Sequence, residues 1–286
     1  TIDFSGSTTQ TIPVFTYNNL TTSGAGEKDA GGTVTVNAAL TNGAVLDMAG
    51  YTLTLGSSTT NNGTIKFSGA ANGLAIAAGT IEYYGAAQTV ATGAYSSLTL
   101  SGSDAKTTAG VTVNGVLSME GTTTASAAPT YGASATLQYK GSAGQTTGLE
   151  LPATFGGTGG VIIDNTLGVN LGGSAAITNG LTLTNGALGV GTATLTLNGA
   201  VSAASGSITS AATGTVIYGG GAAQTVLAAT YGNLTSSSSG ARTLASSGTI
   251  GVAGSFTPGS NSYTITGSTI DFSGSTTQTI PVFTYN

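Results

Sequence analysis

The first eighteen residues of the chain, Thr1 to Asn18 (TIDFSGSTTQTIPVFTYN), recur letter for letter as Thr269 to Asn286. Chance does not produce an identity of this length, and it makes Thr1 and Thr269 equivalent positions of one long period. We therefore expect residues 1–268 to be one unit of a tandem array and residues 269–286 to be the start of the next identical unit. The chain opens on Thr without a charged or apolar leader, so we expect start and targeting signals outside it.

A shorter motif recurs within this unit. A Gln is followed seven residues later by an aromatic residue, which in three copies is followed eleven residues later by a basic one. The glutamines are Gln10, Gln88, Gln145, Gln224 and Gln278, the tyrosines are Tyr17, Tyr95, Tyr231 and Tyr285, and the basic residues are Lys28, Lys106 and Arg242. The copy at Gln145 is degenerate, with Phe155 after an insertion of three residues. Alternating long and short spacings of the glutamines predict an old duplication with halves of about 1–134 and 135–268.

The secondary-structure signal is a series of short strands in which Thr alternates with apolar residues, as in Thr33–Val36 and Thr194–Leu197. A period of two is typical of half-buried strands, and no segment has a helical pattern of useful length. Asn-Gly pairs between the strands predict tight corners with left-handed backbone conformations. These pairs are Asn42-Gly43, Asn62-Gly63, Asn72-Gly73, Asn114-Gly115, Asn179-Gly180, Asn185-Gly186 and Asn198-Gly199.

Nested repeats in an all-strand sequence favour an all-β parallel β-solenoid, or β-helix, in which each turn buries its apolar edge by stacking on its neighbours. Turns of about 20 residues would give roughly 13 turns in one unit. The alternative is a chain of β-sandwich modules, which would need regular modules of about 100 residues with large aromatic cores. In the solenoid, the equivalent glutamines are expected at similar corners.

Each repeated position has an expected role. The Gln is interpreted as a structural residue whose amide bonds backbone groups at a corner, and the Tyr as a core or coil-edge aromatic. The Lys or Arg that follows is interpreted as a solvated surface charge. Strand alternation predicts that Asp3, Glu82 and Ile217 share one outward-facing position. Ile217 is thereby predicted to lie near a lateral contact between neighbouring fibres.

Composition narrows the classes of function. Charged residues make up 5% of the chain, the net charge is −5, and His, Cys and Trp are absent. Scattered basic residues argue against a nucleic-acid partner, and no apolar run is long enough for a membrane-spanning helix. Residues for catalytic triads, thiol nucleophiles or zinc sites are missing, and no paired carboxylate recurs. No Gly-Asp-rich calcium repeat is present, and Glu27-Lys28-Asp29 carries its own counter-charge, so we expect neither an enzyme nor a metal or other cofactor.

Two segments, Tyr83 to Gly115 (YYGAAQTVATGAYSSLTLSGSDAKTTAGVTVNG) and Ile217 to Ile250 (IYGGGAAQTVLAATYGNLTSSSSGARTLASSGTI), resemble the repeats of giant bacterial surface and filament proteins. Such repeats are called adhesin-like or haemagglutinin-like. The resemblance covers nearly the whole chain. It implies a parallel β-helix or β-rich stalk outside the cell and supplies no catalytic residues.

The sequence therefore favours a structural role in a long extracellular or cell-surface fibre or adhesive stalk, stiffened by stacked turns. The expected partner is the protein itself, through tandem continuation and through lateral bundling of faces with little repelling charge. The surface, host-cell or neighbouring-cell ligand stays open. Two alternatives remain. One is a noncovalent pilin-like filament in which the shared eighteen residues pass as a strand between subunits, and the other is an ice-binding surface of Thr-x-Thr arrays.

Overall fold

The computed structural model describes residues 1–69, 74–76, 78–265 and 267–285. These residues form no helix, and their strands stack in parallel as a β-solenoid of about 14 turns, here called rungs. The fold class predicted from the sequence is confirmed. The chain divides into two compact units, Thr1–Ala135 and Thr136–Asn286. Asn286 and the predicted Asn72-Gly73 corner lie outside the described residues.

The first unit is built from short strands that return to the same sheets once per rung. They are β1 (Ile2–Phe4), β2 (Gln10–Ile12), β3 (Thr16–Thr22), β4 (Lys28–Ala30), β5 (Val34–Asn42), β6 (Val45–Asp47), β7 (Leu53–Leu55), β8 (Ser58–Asn61), β9 (Thr64–Phe67), β10 (Thr80–Tyr83), β11 (Gln88–Thr89), β12 (Gly93–Tyr95), β13 (Ser97–Leu100), β14 (Ala105–Thr107), β15 (Val111–Val113), β16 (Val116–Glu120), β17 (Thr124–Ala125) and β18 (Thr130–Tyr131). Their order in the sheets is β1-β3-β5-β7 with β8 also on β5, β2-β4-β6-β9-β10-β13-β16, β11-β14-β17 and β12-β15-β18.

The second unit repeats this plan. Its strands are β19 (Thr136–Gly141), β20 (Gln145–Thr146), β21 (Thr154–Phe155), β22 (Gly160–Asn165), β23 (Val169–Asn170), β24 (Ala175–Ile177), β25 (Leu181–Asn185), β26 (Ala187–Gly189), β27 (Thr194–Leu197), β28 (Val201–Ala203), β29 (Ser207–Thr209), β30 (Thr215–Tyr218), β31 (Gln224–Val226), β32 (Thr230–Tyr231), β33 (Asn233–Ser236), β34 (Arg242–Leu244), β35 (Thr249–Val252), β36 (Phe256–Thr257), β37 (Tyr263–Thr264) and β38 (Thr269–Phe272). Their order is β19-β22-β25-β28, β20-β23-β26-β29-β32-β35-β38, β21-β24-β27-β30-β33-β36 and β31-β34-β37.

Strand alternation explains the core. In the first unit, Ile65, Ile81, Leu98 and Leu117 pair in register on four successive rungs, and all four are fully buried. Burial of one such side chain stabilises the fold by about 1.5–3 kcal/mol, and the gain recurs on every rung. The rungs differ in length. A short rung runs from Thr64 to its register partner Thr80, and a longer one runs from Thr136 to Gly160.

The predicted conformation of the Asn-Gly corners was mostly wrong. Among the pairs that the structure describes, a left-handed φ occurs only at Gly186, where it is 70°. There a Cβ atom would lie 1.8 Å from the carbonyl oxygen of Asn165 on the preceding rung. Gly102, outside any such pair, is also left-handed, and a Cβ there would lie 2.3 Å from the oxygen of Tyr84. Close approach between rungs, which no dipeptide encodes, decides where glycine is needed.

Candidate functional site

The recurring glutamine closes a corner of its own rung. In four copies its Oε1 accepts the backbone N–H of a glycine three or four residues earlier. The N···O distances are 2.7 Å from Gly6 to Gln10, 2.6 Å from Gly85 to Gln88, 2.9 Å from Gly220 to Gln224 and 2.7 Å from Gly274 to Gln278. The corner conformation is thus tied to one side-chain acceptor.

The other half of the amide reaches the preceding rung. Its Nε2 donates to two carbonyl oxygens, at 3.0 and 2.9 Å (Gln88 to Phe67 and Gly69), 2.8 and 2.6 Å (Gln224 to Leu197 and Gly199), and 2.8 and 2.8 Å (Gln278 to Val252 and Gly254). The prediction that this amide bonds backbone groups at a corner is confirmed. Each of these three glutamines therefore joins its corner to the preceding rung by two hydrogen bonds.

The recurring basic residue lies beside the glutamine on the following rung. Gln10 pairs with Lys28, Gln88 with Lys106 and Gln224 with Arg242, and all three basic side chains are 0% exposed. Their interpretation as solvated surface charges was wrong. The base follows its glutamine at the same separation in all three copies, about one rung, and this constant separation was the sequence signal for a stacked pair.

Both buried lysines donate to corner carbonyl oxygens. Lys28 Nζ lies 2.9 Å from Gly6 O and 2.5 Å from Gly26 O, and Lys106 Nζ bonds Gly85 O and lies 2.5 Å from Ala86 O and 3.0 Å from Ser103 O. Gly6 O also accepts the backbone N–H of Gly26 at 3.3 Å, and the ammonium groups add further donors to corner oxygens that lie outside the strand ladders. Burial lowers the pKa of Lys106 to about 8, although the nearby charge of Asp104 opposes the shift.

Arg242 does the same in the second unit. Its Nη2 donates to Tyr218 O at 2.8 Å, Gly220 O at 3.0 Å and Ser237 O at 2.7 Å, and its Nη1 donates to Gly240 O at 2.8 Å. Burial lowers the pKa of this guanidinium. The three buried cations therefore donate hydrogen bonds to backbone carbonyl oxygens at the corners.

The recurring tyrosines form a second internal network. Tyr17, Tyr95 and Tyr231 are fully buried, and each hydroxyl donates to the carbonyl oxygen four residues earlier. In two copies a second tyrosine joins, with Tyr83 Oη 3.3 Å from Tyr95 Oη and Tyr218 Oη 2.8 Å from Tyr231 Oη. Burial raises the pKa of both members of the second pair. They are core aromatics, as predicted.

The degenerate copy builds its corner without a cation. Gln145 pairs with Val169 where the other copies have a base. Asn165 supplies the donor, with its Nδ2 2.7 Å from Gln145 Oε1 and 2.6 Å from Ala143 O. Phe155 is fully buried in place of the tyrosine. A neutral amide four residues before Val169 thus supplies the donor that a buried charge supplies at the other corners.

A polar ladder inside the first unit was missed by sequence reasoning. Thr22, Asn42 and Asn61 pair in register on successive rungs and are fully buried. Thr22 Oγ1 lies 2.5 Å from Asn42 Oδ1, and Asn42 Nδ2 lies 2.7 Å from Asn61 Oδ1. Their separation in sequence, about one rung at each step, was the available signal.

Outward charges gather on one face of the first unit. Asp29, Asp47, Lys66 and Glu82 pair in register on four successive rungs. The counter-charge is Lys66, whose Nζ lies 2.9 Å from Glu27 Oε1 and 3.4 Å from Asp47 Oδ2, so the expected pairing within Glu27-Lys28-Asp29 was wrong. Burial opposes the charge of Lys66, but the bond with Glu27 and the charge of Asp47 outweigh it and raise the pKa.

An uncharged outward face lies in the second unit. Its two columns in register are Thr194, Thr215 and Asn233, and Ala176, Thr196, Ile217, Thr235 and Thr257. Ile217 is half-buried between the fully buried Val216 and Tyr218, as the alternation predicted. Thr-x-Thr is complete only at Thr194 and Thr196 among these rungs, so the face lacks the regular array of the ice-binding alternative.

The first seventeen residues of the repeated segment form one rung, which we call the shared rung: residues 1–17 are its first copy and 269–285 its second. In the first copy, β1 pairs with β3 on the following rung. In the second copy, β38 pairs with β35 on the preceding rung. The two copies therefore use opposite edges of the same strand.

Both ends carry hollows, of which the one at the first copy is apolar and the one beside the second copy also has polar lining from Ser268 and Thr269. The first copy has one of about 250 Å³, lined by Ile2, Phe4, Pro13, Val14, Phe15 and Tyr17. Beside the second copy is one of about 220 Å³, whose lining includes Leu244, Ile265, Ile270, Phe283 and Tyr285. At these two hollows, interior side chains of the first and last rungs are accessible to solvent.

The described residues hold no group of three or more acidic, His or Cys side chains placed to bind a metal. Within the same residues, no helix is long and apolar enough to cross a membrane. No protein-family model matches the chain, and neither a curated protein nor a solved structure matches it. Its function must therefore be inferred from its own residues.

Proposed function

We propose that the chain is a repeat unit of a long extracellular fibre or adhesive stalk, in which one solenoid continues from unit to unit along a single polypeptide. The observation that carries this proposal is the pairing of the shared rung. In the first copy, β1 bonds the rung that follows it, and in the second copy, β38 bonds the rung that precedes it. Since opposite edges of a strand bond independently, one rung of this sequence makes both sets of contacts when a unit lies on each side.

Side-chain burial supports the same continuation. Ile12 is 0% exposed under the following rung, whereas its counterpart Ile280 is 64% exposed. Conversely, Phe15 is 58% exposed, whereas its counterpart Phe283 makes edge contacts with aromatic rings of earlier rungs at centroid distances of 5.3 and 4.8 Å. At these two positions, the side chain that is exposed in one copy is covered by a neighbouring rung in the other.

The role in this proposal is mechanical. Backbone ladders hold adjacent rungs together, and at the corners of Gln88 and Gln224 the glutamine and the base that follows it bond carbonyls of neighbouring rungs. Continuous stacking also removes exposed strand edges except at the fibre ends. The location outside the cell is proposed from the resemblance to bacterial surface repeats and from the charge-poor, Thr- and Ser-rich surface.

The test of tandem continuity is the mass of the natural polypeptide under denaturing conditions. We expect one band on a denaturing gel, at several times the 27.4 kDa of this chain, without a series of smaller bands. Protease treatment of intact cells should remove the band, because the fibre lies outside the cell. A denatured polypeptide no larger than the present chain would overturn covalent continuity, and a band that survives the protease would overturn the location.

Lateral bundling is proposed along the uncharged face around Ile217. Ile217→Asp should disperse bundles seen by electron microscopy, because it adds like charge to every unit while the rungs stay folded. Ile162→Asp is the matched control, since Ile162 is also half-buried and outward but lies between Gln138 and Thr182 on another sheet. Equal dispersion by both variants, or by neither, would contradict a contact at Ile217.

A further inference from the structure

We propose that two copies of this chain join end to end without a covalent link, by exchange of one shared rung. The first copy of the rung in one molecule displaces the second copy in another and takes its place on β35. This inference extends the proposed function to a noncovalent joint. It needs only the two edges of the shared rung and concerns joints between separate molecules of this chain.

The unpaired edge of β1 is expected to bind β35 of another molecule, because the second copy of the same sequence binds β35 in this structure. In the second copy, Ile270, Asp271 and Phe272 pair with Ile250, Gly251 and Val252. Since Ile2, Asp3 and Phe4 are the same residues, β35 of a second molecule fits beneath them. Gln10 then donates to Val252 O and Gly254 O of that molecule, as Gln278 does at 2.8 Å.

The second copy is the one that is displaced from β35. The first copy contains β1 and β2 and runs directly into β3, and its Ile12 and Tyr17 are buried. The second copy contains a single strand, β38, within its described residues. Val282 and Ile280 are exposed there, so the apolar contacts that residues 273–285 lose on release are those of Phe283 with Phe256 and Tyr263.

Charge favours exchange over direct stacking of intact ends. If the first copy stacked on the second, Asp3 would lie in register beside Asp271, and both side chains are exposed. Like charges directly opposite each other on neighbouring strands destabilise a sheet. Exchange places Asp3 beside Gly251 instead, as the pairing of Asp271 shows.

The decisive experiment compares one substitution at the two equivalent glutamines of the full chain. Gln278→Ala weakens the resident rung and should tighten self-association, whereas Gln10→Ala weakens the incoming rung and should loosen it. Loss of the two bonds to the preceding rung should shift the association constant by about tenfold in each direction. Sedimentation velocity over a concentration series measures the constant, and circular dichroism checks that each variant is folded. Shifts in the same direction, or none, would overturn exchange.

A peptide measurement keeps the test independent of how the variants fold. A fluorescently labelled peptide of residues 1–18 should bind the unmodified full chain with one site per molecule. The matched control is the peptide with Gln10→Ala, which should bind about tenfold more weakly. Absence of saturable binding, or equal binding of both peptides, would overturn the proposal. Association strengthened by Asp271→Asn but indifferent to Gln278→Ala would indicate direct stacking and also overturn it.

The two proposals fail separately. The mass of the denatured natural polypeptide decides tandem continuity and does not depend on self-association. The opposite effects of Gln10→Ala and Gln278→Ala decide rung exchange and do not depend on how many units the gene encodes.

Discussion

The same eighteen residues form different structures at two places in this molecule. The first copy contains β1, β2 and the start of β3, whereas the described part of the second contains β38 alone. Both have identical local propensities, so propensity does not explain the difference. The first copy has a following rung to pair with and the second has a preceding one. Strand formation here is therefore set by the neighbouring rung.

The largest contrast is expected at the repeated tyrosine. Tyr17 is 2% exposed and Tyr285 is 39% exposed, although each packs against its two equivalent phenylalanines, Phe4 and Phe15 at 6.4 and 5.2 Å and Phe272 and Phe283 at 6.3 and 5.1 Å. Tyr17→Ala should lower the free energy of unfolding by about 3–5 kcal/mol, and Tyr285→Ala by less than about 1 kcal/mol. Urea unfolding measures both. Equal losses would show that the following rung does not determine burial of this side chain.

A smaller effect is expected at Lys28, which the following rung contributes to the first copy. Lys28→Met keeps the volume but leaves Gly6 O and Gly26 O without their ammonium donor. We expect a loss of about 1–3 kcal/mol, since Gly26 O loses its ammonium donor while Gly6 O keeps only the N–H of Gly26. The control is Lys140→Met, because Lys140 is exposed and its loss should stay within about 0.5 kcal/mol. Similar losses at both sites would contradict the role of the buried cation.

A single methyl group sharpens the comparison further. Ile12→Val should lower stability by about 1 kcal/mol, because Ile12 is fully buried beneath the following rung. Ile280→Val should have no measurable effect on the same unfolding curve, since its side chain is exposed. A reversed order of the two losses would refute the burial difference.

A pH-dependent effect is expected at Lys106, in an internal copy with rungs on both sides. Burial lowers its pKa from 10.5 to about 8, so the folded state releases this proton at lower pH than the unfolded state. Stability should therefore rise between about pH 8 and pH 10, below the range where the buried tyrosines titrate. Lys106→Arg should abolish the rise, and Arg242 shows that arginine fits the equivalent position. A wild-type curve that falls over this interval would contradict the assignment.

Much of the architecture could be predicted from the sequence, because strand alternation and nested periods are local or countable. The solenoid class and the corner bonds of Gln10, Gln88, Gln224 and Gln278 followed from them. Burial of Lys28, Lys106 and Arg242 did not, since the usual exposure of charged residues outweighed their constant separation from the preceding glutamine. That separation acquires its meaning only once the length of each rung is known.

Other features depend on contacts that residue types alone do not specify. The sequence suggested left-handed corners at Asn-Gly pairs, but glycine is required where a Cβ would strike the preceding rung, as at Gly186. The Asn42–Asn61 stack similarly needs the register of β5 and β8. Rungs of unequal length, such as those that begin at Thr64 and at Thr136, make these registers hard to obtain by counting.

The central claim is that the shared rung accepts a rung on both edges, and thiol labelling tests it most directly. The chain has no cysteine, so Ile280→Cys and Ile12→Cys each introduce a single probe. In the full chain, the thiol at position 280 should react like an exposed one and the thiol at position 12 should be protected. Appending residues 19–36 after Asn286 should slow labelling at position 280 by at least about tenfold, because the added rung covers it. An unchanged labelling rate in the extended chain would contradict continuation of the solenoid.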